Sequence, residues 1–121
     1  MIMAVITTTV RGMVAIAQTE IRDTPDLGPE RARVLLAHLS ALIGNCNDEI
    51  RMADAAYAVV LLTAMRSEDA ANRAKVAAEC SPEYARKREA RDTKELVIEL
   101  VRSMKYLLNS YSEEMRLGGH S

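Results

Sequence analysis

Apolar residues recur along this chain at helical spacing, three and then four positions apart, with polar residues between them. The run ALIGNCNDEIRMADAAYAVVLLTAMRS, from Ala41 to Ser67, contains no proline. Through it and just before it, Leu36, Leu39, Ile43, Cys46, Ile50, Ala53, Tyr57, Val60 and Ala64 alternate those two steps without a slip. That is the a/d seam of a heptad repeat. Pro29 suits a first helical position and Glu30 the positive end of a helix, so the pattern predicts a helix over 29–66. Gly44 interrupts it at a cost of about 1 kcal/mol relative to alanine, too little to stop a helix with this much to bury. Towards its end the helix is apolar almost all round, at Val59, Val60, Leu61, Leu62 and Met65. Val59 and Leu62 point away from the seam, so a further layer is expected over them, from an N-terminal helix or from a second copy of the chain.

The same reasoning places the other elements. Met3, Ile6, Val10, Met13, Ala17 and Ile21 mark one face of a first helix over 3–22, weakened at Thr7-Thr8-Thr9 by β-branching. RDTPDLGPE then forms a turn, having two prolines, a glycine and two aspartates in nine residues. The Ala-rich stretch 69–79 is helical by propensity, as a short helix or a continuation of the second. Ser81-Pro82-Glu83 suits the N-cap and first turn of a final helix over 82–116, with a tail at 117–121. Its seam is Val97, Val101, Met104, Leu108, Tyr111 and Met115. The expected fold is therefore all-α and a single helical domain: a long antiparallel, coiled-coil-like hairpin with an N-terminal helix packed on it.

Composition sharpens this picture. Tyrosine is the only aromatic residue type, with four copies, so Ala, Leu, Val and Met must fill the core, as suits close-packed helices. The net charge is -1, which gives no global field toward nucleic acid or membrane. No stretch reaches the roughly 18 apolar residues of a membrane span. MIMAVITTTVRGMVAIAQ lacks a basic leading segment and is broken by Arg11, so a signal peptide is not expected. Cys46 falls on the seam and Cys80 outside it, with no metal-ligand spacing, which fits a reducing cytoplasm.

Candidate chemistry is sparse. His38 flanks the seam, His120 lies in the tail, and no second histidine is placed to complete a metal site. The acidic pairs Asp48-Glu49, Glu68-Asp69 and Glu113-Glu114 are adjacent, so on a helix they do not face each other. No catalytic residue, metal ligand or cofactor is expected. The stretch 66–94 carries eight basic and six acidic residues. Within it Arg86, Lys87, Arg88, Arg91 and Lys94 form the one candidate binding surface, able to lie along a phosphate backbone without reading sequence. The competing expectation is a solvated face laced by ion pairs with Glu83, Glu89, Asp92 and Glu95. Met52, Leu62, Met65, Met104 and Met115 are adaptable packing groups that serve in cores and at binding surfaces alike, with the core the favoured place for each one taken singly. Val59, Leu62 and Met65 are the candidate interface of a homodimer.

Tyr57 and Ala64, the acidic break Ser67-Glu68, Arg73 and Ala77, Glu83-Tyr84, and Arg102-Ser103 within ELVRSMKYLL make up a pattern over roughly 50–116. It resembles small Ala/Glu/Arg-rich helical proteins of tailed phages, of the recombination-neighbourhood or anti-defence type. The resemblance implies a phage or prophage origin, action in the cytoplasm of a bacterial host, and a binding role rather than an enzymatic one. The expected partner is a protein or nucleoprotein complex, inhibited in the manner of anti-CRISPR proteins or assisted by an accessory factor. The alternatives are a nucleic-acid-binding accessory of phage recombination and a structural helical oligomer.

Overall fold

The computed structural model describes residues 9–118. Among these there are four helices and no strand: α1 (Val10–Asp23), α2 (Pro29–Ser67), α3 (Ala71–Glu79) and α4 (Pro82–Gly118). The long helices α2 and α4 pack against each other as the two arms of a hairpin, and α1 packs on them. By internal contacts the chain forms two compact units, one from residues up to Gly44 together with those from Glu95 onward, the other from Asn45–Lys94.

In the first unit, the described part of the expected helix 3–22 is α1, Val10–Asp23. Thr9 is extended (φ -73°, ψ 149°) and its hydroxyl accepts the Gly12 N–H at 2.9 Å, so this threonine caps the helix. Residues 3–8 of the expected helix lie outside the described residues. The buried stripe of α1 also differs, with Val14 and Ala17 buried and Val10, Met13 and Ile21 half-buried. A bidentate ion pair fastens α1 to α2: Arg31 donates to Glu20 from Nε at 2.5 Å and from Nη2 at 2.7 Å. The hydrogen bonds from Arg31 hold the Glu20 carboxyl below its ordinary range.

On α2 the expected seam is only part of what is buried. Leu39 is buried, but Leu36 and Ile43 are half-buried, and Ala32, Leu35 and Leu42 go inside with it. The cause is the third helix. This part of α2 meets both α1 and α4, so its apolar band is wider than the seam of a two-helix coil. From α4, Val97, Leu100, Val101 and Met104 complete the core. Tyr111 donates its hydroxyl hydrogen to the Leu27 carbonyl, in the turn before α2. The seam stops there: Met115, expected inside, is 76% exposed, because α4 has run past the start of the arm it lies on.

In the second unit, α2 ends at Ser67, whose hydroxyl donates to the carbonyls of Thr63 and Ala64. α3 is thus a separate helix rather than a continuation. It buries Ala74 and Ala78. Ser81 caps α4, accepting the Tyr84 N–H at 3.2 Å. The unit's buried side chains are small: Cys46, Ala53, Ala74, Ala78 and Thr93, with Tyr57 the one large exception.

Gly44 lies in the interior of α2 with no positive φ, and a Cβ added there meets nothing within 4 Å. Gly44→Ala is therefore expected to raise stability by about 0.5–1 kcal/mol, by removing freedom from the unfolded chain without a clash. Urea denaturation followed by circular dichroism checks this; a destabilised variant would mean that the helix interior at this point is not open.

Candidate interaction surfaces

The basic run occupies the first turns of α4, inside the second unit. At 100° per residue Lys87, Arg91 and Lys94 share a face, and that face meets α2. Lys87 places its ammonium 4.5 Å from the centre of the Tyr57 ring. Arg91 donates to Asp54 Oδ2 at 2.8 Å, and Arg86 lies 3.9 Å from Glu49. Lys94 is half-buried and Arg88 exposed. Tyr57, Asp54 and Glu49 all sit one helix across, on α2. Three of the five cations thus help to hold the hairpin together.

Tyr57 is the centre of this contact. It is 8% exposed, its ring centre is 5.4 Å from that of Tyr84 at a tilt of 45°, and Lys87 covers its face. Burial raises the Tyr57 phenol above its usual range. One carboxylate oxygen of Asp54 takes Arg91, while the other is buried with no hydrogen-bond partner among the described residues. Burial also raises the Cys46 thiol, which keeps it protonated and a poor nucleophile. His38 is exposed, and among the described residues no cluster of three His, Cys, Asp or Glu could hold a metal.

The opposite side of α2 is apolar and uncovered. Met52, Val59, Leu62 and Met65 are each more than half exposed. Of the five packing residues expected inside, only Met104 is buried; Met52, Leu62, Met65 and Met115 are on the surface. The layer expected over Val59 and Leu62 is absent among the described residues.

The pattern of the long helices did not single out α3. Glu68, Asn72, Arg73, Val76 and Ala77 line an open, largely apolar groove, and Val76 is more than half exposed. The signal was present in the sequence. Val76 is the one large aliphatic residue between Ser67 and Cys80. A helix that buries Ala74 and Ala78 turns a residue midway between them about 200° away, into solvent.

No protein-family model, no curated protein and no solved structure matches this chain. The surfaces must be interpreted from their own chemistry.

Two substitutions separate packing from charge in the second unit. Tyr57→Ala removes its one large buried side chain and is expected to cost about 3 kcal/mol. Arg91→Ala breaks an ion pair whose side chains are 53% and 38% exposed and is expected to cost about 1 kcal/mol or less. Chemical denaturation of both variants tests the order; a larger loss from Arg91→Ala would make the ion pair, not the ring, the main tie.

Proposed function

We propose that the protein acts by binding rather than by catalysis, and that its target is a protein or nucleoprotein complex which it inhibits or assists. The observation that carries this reading is the concentration of uncovered apolar side chains in the second unit, at Met52, Val59, Leu62, Met65 and Val76. Apolar surface edged by charge is what a protein-binding site requires. A preformed helix face also avoids most of the ordering cost of association, which matters for a chain with no Phe or Trp to serve as anchor. The resemblance to small phage proteins supplies the setting: a bacterial cytoplasm, and a host defence complex of the CRISPR kind or a recombination complex as the target. The nucleic-acid alternative draws on Arg86, Lys87, Arg88, Arg91 and Lys94. It has less support, because Arg86, Lys87 and Arg91 already face groups on α2.

A photo-crosslinking residue in place of Val76, with the protein expressed in a bacterium, tests the reading. The expected product is a discrete adduct with another polypeptide that survives nuclease treatment. Adducts destroyed by nuclease would move the assignment to the nucleic-acid alternative. Adducts of the chain with itself alone would make it a structural oligomer and overturn a foreign target.

A further inference from the structure

The outer face of α2 carries a second heptad line, on the far side of the helix from the buried one. Asn45, Asp48, Met52, Ala55, Val59, Leu62 and Arg66 follow one another in alternating steps of three and four, and all seven are exposed. Four apolar positions stand in the middle, with an acidic residue at one end and a basic one at the other. From Asp48 to Arg66 the line runs about 27 Å along the helix.

We infer that this face binds the same face of a second copy of the chain, the two α2 helices running antiparallel. In an antiparallel pair each position of one kind meets the other kind on the partner, so the line can be matched to itself. One register sets Met52 against Leu62 and Ala55 against Val59, and twofold symmetry repeats both contacts. This gives four apolar layers in a row. The next layer outward at each end then pairs Asp48 with Arg66 of the second copy. A shift of one heptad either way leaves two apolar layers and sets Asp48 against Val59, or Arg66 against Ala55. A parallel pair would bring Asp48 onto Asp48 and Arg66 onto Arg66. Both the apolar pattern and the charges therefore select one arrangement.

The neighbouring positions agree with it. Ala58 would meet Ala58 of the second copy at the twofold axis, and Ala56 would do the same on the other flank, small side chains where two helices approach closely. Met65 would lie over the stem of Arg51. Asp48 holds Arg51 through Oδ1, which leaves Oδ2 for the arriving guanidinium. All these residues belong to the second unit, so no relation between the units is needed. This inference gives the α2 part of the apolar surface to a second copy and leaves the α3 groove around Val76 for the target of the proposed function; it is tested on the purified chain alone, and the proposed function by crosslinking from Val76.

The test is light scattering over a concentration series for the unaltered chain, Asp48→Arg, Arg66→Asp and the double variant. The unaltered chain is expected to form a dimer. Each single reversal places like charges at both ends and should weaken the dimer about tenfold or more, and the double variant should restore it. A monomer at every concentration, or a double variant no better than the singles, would overturn the proposal. Disulfide trapping in a Cys80→Ser background fixes the register independently. Chains carrying Met52→Cys should join to chains carrying Leu62→Cys and not to themselves, because two copies of position 52 would lie about 15 Å apart along the axis. Self-joining of Met52→Cys would mean a parallel pair and would also overturn the proposal.

Discussion

Four residues of α2 set the geometry of this protein. Ala32, Leu39, Cys46 and Ala53 are spaced seven apart and none is more than 1% exposed. A helix has one rotation about its axis, and burying this line spends it. Once these side chains face inward, Met52, Val59 and Leu62 have to face out. Three of the four are small, and Leu39 is the one bulky side chain in the line. The exposed apolar line is thus a geometric consequence of the buried one, both having the same heptad period on opposite sides of one rod.

The two units reach stability by different routes. The first has three helices to cover its apolar side chains, and its core is aliphatic: Val14, Leu35, Leu39, Leu42, Val97 and Met104. The second buries mostly alanine-sized groups, so the ring of Tyr57, tilted against Tyr84 and covered by Lys87, carries a large share of its apolar burial. The Arg91–Asp54 pair is half in water and adds orientation more than energy. This explains why cations that look like a phosphate-binding face in the sequence lie against α2 in the structure. With little apolar material available, the arms are held in register partly by charge.

The helices were legible in the sequence because their period, their prolines at 29 and 82 and the capping Ser81 all agree. The all-α hairpin with its N-terminal helix follows from them. The start of α1 was less clear, since a threonine run serves equally as a weak helix interior or as a cap, and only the position of the Gly12 N–H decides between them. The heptad pattern of α2 points to a two-helix seam, which leaves out the buried Leu35 and Leu42. Their burial depends on α1 lying alongside, which no local pattern encodes. The exposed positions of Met52 and Met115 are not legible in the sequence, because methionine suits core and surface interfaces alike. For the candidate surface, Val59, Leu62 and Met65 could be named from sequence, whereas the α3 groove depends on which two alanines the short helix buries.

The assignment of inner and outer faces on α2 can be tested most directly with the cysteines the chain already has. Cys46 lies on the buried line with its thiol 1% accessible as a residue, and Cys80 is exposed beyond α3. Mass spectrometry of the native protein after timed exposure to a thiol reagent should find Cys80 modified at once and Cys46 modified only when the chain is unfolded by denaturant. Equal rates at the two sites would mean that Cys46 does not face inward, and the outward placement of Met52, Val59 and Leu62 would fall with it.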